Sequence, residues 1–169
     1  MAYMDRTPRG PLLGYRVLEL GTTIAGPFCT RLLADFGAEV IKVEPPSGDP
    51  VRFMGQMEGD VSLYGASILR NKKLISVDIK TPQGYQIVKD LMLKSDIVVE
   101  NFRPGTLERL GLDYNEISKE SPSLILVRIS GYGQNGPYSS RPGYGVTAES
   151  IAGVRHLTGD PDRPPARVA

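Results

Sequence analysis

A chain of 169 residues has enough volume for one domain with a packed core. Its 20 basic and 19 acidic residues give a formal charge of +1. This balance argues against the cationic surface with which proteins bind nucleic acid. The longest apolar runs have the length of strands and are too short to span a bilayer, so no membrane partner is predicted.

The N-terminal segment, the single cysteine and the single histidine limit the possible cellular compartment and the possible chemistry. Residues 1–11 contain no apolar segment typical of a secretory signal, and the only cysteine, Cys29, cannot form an internal disulfide. A reducing, cytoplasmic location is therefore predicted. Cys29 is interpreted as a small buried helix residue rather than a nucleophile. With His156 as its only histidine, the chain cannot supply a multi-histidine metal site.

Strand, helix and strand are predicted in succession near the start of the chain. Residues 15–20 and 39–43 have the composition of short strands. Between them, residues 28–36 are apolar at 28, 32, 33 and 36, the spacing of one helix face. Pro27 suits the first helical turn and Gly37 suits the left-handed position after the helix. This pattern predicts a βαβ unit with parallel strands.

The alternation continues along the chain after a long loop over residues 44–60. Thr81 and Pro82 predict a capped helix that ends near Lys94. The other predicted elements are strands at 74–78, 96–100 and 124–129 and helices at 63–69, 104–110, 114–119 and 146–152. Such alternation favours an α/β fold, a Rossmann-like parallel sheet with flanking helices and ligands at the carboxyl ends of the strands. We expect an N-terminal tail over 1–12 and one domain over 13–169.

The first βα turn, residues 21–26, is one candidate binding site. It begins a helix, where free amides and the helix dipole favour an anion. Two glycines five residues apart do not make the G-x-G-x-x-G of dinucleotide sites, although Glu44 after the next strand is placed like a ribose-binding acid. A nicotinamide-binding domain is therefore one alternative, and a tight turn that only packs the helix is another.

The segment 100–105 follows a strand that is apolar at 97, 98 and 99 and is a second candidate. Phe102 can stack on a base, Asn101 can pair with amide or base edges, and Arg103 or Arg109 can neutralise phosphate. The alternative is a surface turn in which Phe102 fills the core. Lys80 and residues 71–73 add cations near other strand ends.

Several segments together resemble one family. They are Leu18-Glu-Leu-Gly, Ala25-Gly-Pro, residues 33–44, Asn71-Lys-Lys, residues 77–84, residues 96–105, Leu110-Gly-Leu and residues 130–138. In this order and spacing they resemble the class III CoA-transferases and the related acyl-CoA racemases. The resemblance runs from about Leu13 to Pro165.

The resemblance implies a coenzyme A (CoA) site formed by the first turn, the end of the third predicted strand and the segment after the fourth. By that resemblance, the CoA-binding residues are Thr23, Ile24, Ala25, Val77, Lys80, Asn101, Phe102 and Arg109. The family often has an arginine where this chain has Pro45, so the resemblance does not extend to one adenine or phosphate contact.

The resemblance also implies the chemistry. Family transferases use an aspartate that forms an acyl anhydride and then a CoA thioester, with no metal or redox cofactor, and CoA thioesters are substrates. That aspartate follows a segment matching residues 159–165, so we expect it beyond residue 169 and expect this chain to be an inactive N-terminal fragment. Asp160, Asp162 and Glu149 are weaker candidates. The full-length enzyme is expected to be an interlocked homodimer acting on an acyl-CoA and a carboxylic acid.

Two other functions stay open. One is a racemase or isomerase of 2-methylacyl-CoA, but Tyr144 stands where that branch has its histidine, and a phenol with a pKa near 10 is a poor proton shuttle. The other is a catalytically silent CoA-binding subunit paired with an active homologue.

Overall fold

A computed structural model describes residues 10–168, which form two compact units, one ending at Ile129 and one beginning at Ser130. The strands are β1 (Arg16–Glu19), β2 (Glu39–Glu44), β3 (Met57–Glu58), β4 (Val61–Ser62), β5 (Lys72–Ser76), β6 (Ile97–Glu100) and β7 (Ile125–Arg128). The helices are α1 (Ala25–Asp35), α2 (Leu63–Leu69), α3 (Pro82–Leu93), α4 (Thr106–Arg109), α5 (Tyr114–Glu120) and α6 (Gly145–Ile151), with a 3-10 helix at Pro50–Phe53.

Five strands form one parallel sheet in the order β5-β2-β1-β6-β7, and β3 and β4 form a separate antiparallel pair. Leu18 in the central strand is aligned with Ile41 on one side and Val98 on the other. After β1, the chain adds β2 and β5 on one side of β1 and then adds β6 and β7 on the other side. The order therefore reverses between β1 and β6, and in open α/β sheets such a point is where ligands bind.

The core lies on both faces of the sheet. Because successive side chains of a strand point to opposite faces, Val17 joins Ala34 and Ala38 in one cluster, while Leu18 joins Val88 and Met92 in the other. Burial on both faces explains why consecutive residues are apolar in the middle of the sheet, at 17–18 in β1 and 97–99 in β6. The predicted α/β class with a Rossmann-like parallel sheet is confirmed.

Several helix boundaries agree with those predicted from local sequence signals. The predicted helix at 63–69 coincides with α2, and Thr81 caps α3 by accepting a hydrogen bond from the Gly84 amide at 3.0 Å. The strand expected at 74–78 instead begins at Lys72. That prediction treated Lys72 as a solvated residue, whereas its side chain is buried. The long loop contains the 3-10 helix and β3.

The second unit carries α6, which spans Gly145–Ile151 against the predicted 146–152. In this unit Gly131 and Gly143 lie backbone to backbone, since a Cβ on Gly131 would stand 2.3 Å from the Gly143 Cα. Over residues 10–168, no helix combines the length and apolar character needed to cross a bilayer. Residues 1–9 of the expected N-terminal tail lie outside the described part, and the single domain over 13–169 stays a prediction.

Candidate functional site

The two segments that follow β1 and β6 meet at the reversal point of the sheet. The Asn101 carboxamide accepts a hydrogen bond from the Thr22 amide at 2.7 Å and donates one to the Thr22 carbonyl at 2.9 Å. Residues predicted separately from two parts of the chain are thus in direct contact. This pair fixes the turn that leads into α1.

Two glycines let the turn close around Asn101. A Cβ on Gly21 would stand 2.8 Å from Asn101 Oδ1 and 3.0 Å from the Gly26 Cα, and a Cβ on Gly26 would stand 3.0 Å from the Gly21 Cα. Any larger side chain at either position would push these groups apart. The spacing of the two glycines therefore serves a close packing contact between the start and the end of the turn.

A cluster of buried charges lies beneath the turn. The Lys42 ammonium donates to Glu19 Oε1 at 2.8 Å and to the Gly21 carbonyl at 2.7 Å, and it lies 2.8 Å from Asp49 Oδ2. The Lys72 ammonium donates to Glu19 Oε2 at 2.8 Å and to the Pro27 carbonyl at 2.6 Å. All four charged side chains are fully buried. The positive charges of the two ammonium groups are balanced by the negative charges of the two carboxylates, as is required of charges buried away from water.

Asp49 connects this cluster to the backbone of the turn. Its carboxylate accepts hydrogen bonds from the Thr23 amide at 2.9 Å and from the Val51 amide at 2.9 Å. Burial alone would raise the pKa of Asp49, but the hydrogen bonds from Lys42 and the backbone outweigh it, and the pKa lies below its usual value. Thr23 has φ 66°, a left-handed conformation that non-glycine residues rarely adopt.

A second charged group shapes the segment after β6. Buried Glu100 accepts hydrogen bonds from the Phe102 amide and, at 2.9 Å, from the Arg128 guanidinium. Arg128 also donates to Glu108 at 2.7 Å, which ties β7 to α4. Burial raises the pKa of Glu100 although Arg128 opposes the effect, and the hydrogen bond from Arg128 lowers the pKa of Glu108.

The remaining predicted CoA-binding residues stand at several places on the same carboxyl edge. Val77 follows β5 and donates to the Glu44 carbonyl at 2.8 Å, and Lys80 is exposed just beyond it. Phe102 is half-buried against the larger core cluster, as the alternative interpretation expected. Arg109 is exposed and donates to Thr106 Oγ1 at 2.8 Å. The turn and Asn101 are in contact, whereas Arg109 has no contact with the turn among the described hydrogen bonds.

Two other sequence expectations concern Glu44 and Cys29. Glu44 is buried and accepts a two-pronged ion pair from Arg52, at 2.7 and 3.0 Å, so it is already engaged and does not favour a ribose-binding role. Cys29 is half-buried against the smaller core cluster, and burial together with Glu19 raises the pKa of its thiol. A cavity of about 390 Å³ bordered by Arg52 and Arg70 is lined by none of the predicted CoA-binding residues.

In the second unit, the three weaker carboxylate candidates have ordinary surroundings. Glu149 is half-buried and pairs with Arg155 at 3.2 Å. Asp160 pairs with Arg163 at 3.5 Å, and Asp162 is exposed. Tyr144 is exposed at the residue that precedes α6.

Sequence reasoning gave no role to Glu19, Lys42 and Asp49, and it treated Lys72 only as one of the cations near a strand end. The signal available was a lysine at the fourth position of an otherwise apolar strand, residues 39–43, where an inward-facing charge needs a partner. No rule of spacing could supply that partner, because Asp49 comes from a loop and Glu19 from another strand.

Comparison with known proteins adds to this geometry. The sequence profile of CoA-transferase family III matches residues 12–169. Succinyl-CoA–D-citramalate CoA-transferase of Chloroflexus aurantiacus is 53% identical over 97% of this chain and 41% of that protein. The β subunit of succinyl-CoA–L-malate CoA-transferase from the same organism is 45% identical over 92% of this chain and 39% of that protein.

A solved structure agrees with the fold. The crystal structure of a CaiB/BaiF family protein from Brucella suis has a TM-score of 0.89 and 39% identity, covering 95% of this chain and 44% of that one. The chain thus spans about two fifths of the length of the relatives that it matches.

Proposed function

The chain belongs to CoA-transferase family III, and on that premise we propose that it forms the CoA-binding part of an enzyme that moves CoA from an acyl-CoA to a carboxylic acid. The observation that carries the proposal is the contact of the Thr22 backbone with Asn101 at the reversal point of the sheet. Open α/β sheets bind ligands there.

The proposed CoA site follows the carboxyl edge of the sheet. Strand β2 lies between β5 and β1, so Val77 stands about 10 Å from the first turn at the usual strand spacing. An extended coenzyme can span that distance. The N-terminus of α1 favours a phosphate, and Lys80 and Arg109 are exposed cations. Thr23, Ile24, Ala25, Val77, Lys80, Asn101, Phe102 and Arg109 are the proposed contacts.

The proposed reaction proceeds through an enzyme carboxylate, an aspartate beyond residue 169. Its oxygen attacks the donor thioester, forming a mixed anhydride and releasing CoA thiolate. The thiolate attacks the aspartyl carbonyl, which releases the donor acid and leaves an aspartyl-CoA thioester. The acceptor carboxylate then attacks this thioester, giving a second anhydride and CoA thiolate. Attack of that thiolate on the acceptor carbonyl yields the new acyl-CoA and restores the aspartate.

Every step exchanges an acyl group between oxygen and sulfur, so no electrons are transferred and the route needs no redox cofactor. CoA is released as thiolate twice and must be held for its return. Residues that hold its nucleotide end throughout are therefore expected to affect binding of the CoA donor more than the chemical steps.

The names of two relatives suggest the substrate class. Both name succinyl-CoA as the donor, with D-citramalate or L-malate as the acceptor. We infer that the donor is succinyl-CoA and the acceptor a hydroxy-dicarboxylic acid. A cytoplasmic location stays a prediction based on the single cysteine.

The test is transfer by the full-length protein. Purified protein is incubated with succinyl-CoA and either D-citramalate, L-malate, glutarate or acetate, and the new CoA thioester is identified by mass spectrometry. Transfer to D-citramalate or L-malate and none to acetate supports the proposal, whereas transfer to glutarate alone would overturn the inferred acceptor class. Release of free CoA without a new thioester, or no binding of CoA, would overturn the proposal.

A silent CoA-binding subunit is the second candidate, because one relative is named as a β subunit. The proposed enzyme is expected to be a homodimer that is active alone. Activity that appears only after a homologous chain is added would favour the subunit.

A further inference from the structure

The buried charges beneath the first turn are more than core packing requires. Lys42 lies on β2, Glu19 on β1, Lys72 on β5 and Asp49 in the loop after β2. Apolar residues of similar volume usually stabilise a core as well as a buried ion pair does, or better. A fully buried cluster of four charges therefore calls for a reason other than stability.

The cluster holds the turn at two points. Lys42 donates to the carbonyl of Gly21 at 2.7 Å, and Asp49 accepts from the amide of Thr23 at 2.9 Å. Asn101 binds the residue between them, Thr22, through both its amide and its carbonyl. Three successive residues of the turn are thus each held by a side chain from another element.

The polar groups of Lys42 and Asp49 are fully used. The three N–H bonds of the Lys42 ammonium face Glu19, Gly21 and Asp49. Asp49 Oδ1 accepts from the Thr23 and Val51 amides, while Oδ2 faces Lys42 and accepts a longer bond from the Thr23 amide at 3.2 Å. A network without spare donors or acceptors has one arrangement, so it fixes the direction in which the turn presents its backbone.

We propose that Lys42 and Asp49 are positioning residues of the CoA site, which hold Thr23 in its left-handed conformation so that the amides opening α1 face the coenzyme. This inference rests on the proposed function. Neither side chain is accessible to a ligand, since both are fully buried, so they act through the turn.

The primary test is Asp49→Asn in the full-length protein. The NH2 group of the amide faces a donor in either orientation, the Lys42 ammonium at the Oδ2 position or the Thr23 and Val51 amides at the Oδ1 position. The hold on Thr23 therefore weakens. We expect the KM for succinyl-CoA to rise on the order of tenfold with kcat nearly unchanged, the pattern of lost uniform binding. Amide hydrogen exchange should accelerate at residues 22–26.

Asp35→Asn is the matched control. Asp35 pairs with Arg70 and Arg31 at the far end of α1, so this change removes a carboxylate from an ion pair without touching the turn. The control should keep the KM and the exchange rates of residues 22–26.

A second variant separates positioning from stability. Lys42→Met combined with Asp49→Leu removes both charges and leaves Glu19 paired with Lys72. Its melting temperature should lie closer to wild type than that of Asp49→Asn, because no unpaired charge is buried. Its KM should nevertheless stay raised, because the Thr23 amide has still lost its acceptor.

The outcomes are distinct. The positioning role alone is overturned if the wild type binds CoA but Asp49→Asn and Asp35→Asn have the same KM and the same amide exchange rates. A double variant that regains both stability and KM also overturns it, because the cluster would then be only structural. A wild type that neither transfers nor binds CoA overturns the proposed function and this inference with it, whatever the exchange rates.

Discussion

Asn101 and Thr22 exchange two hydrogen bonds, side chain to backbone, just beyond the carboxyl ends of the paired strands β1 and β6. Oδ1 accepts from the Thr22 amide at 2.7 Å, and Nδ2 donates to the Thr22 carbonyl at 2.9 Å. These two bonds keep the segments that follow β1 and β6 in contact beyond the ends of the strands. The carboxamide uses only one of its two N–H groups among the described hydrogen bonds.

Replacing Asn101 by Asp should weaken both the turn and CoA binding. One carboxylate oxygen can still accept from the Thr22 amide, but the other would face the Thr22 carbonyl. We expect the free energy of unfolding to fall by roughly 1–3 kcal/mol, the usual effect of an unmet buried hydrogen bond. Urea unfolding of the full-length protein measures this change. Asn115→Asp, at an exposed position of α5, is the control, and an equal loss there would contradict the argument.

The fold is predictable because its signals are local. Apolar residues at Phe28, Leu32 and Leu33 mark α1, and Thr81 followed by Pro82 marks the start of α3. Alternation of such elements then implies parallel strands whose carboxyl ends share one edge. The same logic predicts that the first turn and Asn101, which each follow a strand, lie at that edge.

The charged cluster is not predictable because its partners are distant in sequence. Lys42 and Glu19 are separated by 23 residues, and Lys72 and Glu19 by 53. A lysine next to a short strand is ordinarily solvated, so sequence reasoning places Lys72 outside the strand that it begins. Only the strand order β5-β2-β1 places both ammonium groups beside one carboxylate.

Gly26→Ala should impair CoA binding more than stability. The new Cβ would stand 3.0 Å from the Gly21 Cα and 3.2 Å from Asn101 Oδ1, so the turn must shift. Alanine also favours the helix by up to about 1 kcal/mol over glycine, which offsets part of the strain. We expect the KM for succinyl-CoA to rise several-fold while the melting temperature changes little. A large loss of kcat at constant KM would contradict this view.

The contribution of Asp49 to the free energy of unfolding should be lost at acid pH. Its pKa is lowered in the folded state, so the unfolded chain binds the proton more readily. The contribution is therefore fully present above the unfolded value of about 4 and is lost as pH falls through the folded pKa. We expect Asp49→Asn to be less stable than wild type at pH 7, with the difference shrinking below about pH 4. Urea unfolding at several pH values measures it, and a difference independent of pH would contradict the assignment.

Strand β7 should be a site of self-association for the polypeptide of residues 1–169. Within residues 10–168, β7 pairs with β6 on one side only, and Ile125 is 57% exposed on it. Edge strands with exposed apolar residues tend to pair with other chains. Ile125→Lys should shift the polypeptide towards monomer in sedimentation velocity. Ser118→Ala on α5 is the control, and equal association of all three would place the contact elsewhere.

The polypeptide of residues 1–169 should form no covalent intermediate with succinyl-CoA. Glu149 is paired with Arg155 at 3.2 Å and Asp160 with Arg163 at 3.5 Å, while Asp162 is exposed to water, so none of the three has the surroundings of an activated nucleophile. Binding of CoA alone lowers no chemical barrier, because stabilisation must be greater in the transition state. Hydroxylamine converts an enzyme anhydride or thioester into a hydroxamate that mass spectrometry locates. We expect none on this polypeptide and one on an aspartate beyond residue 169 in the full-length protein. A hydroxamate at Glu149, Asp160 or Asp162 would show that the nucleophile lies in this chain after all.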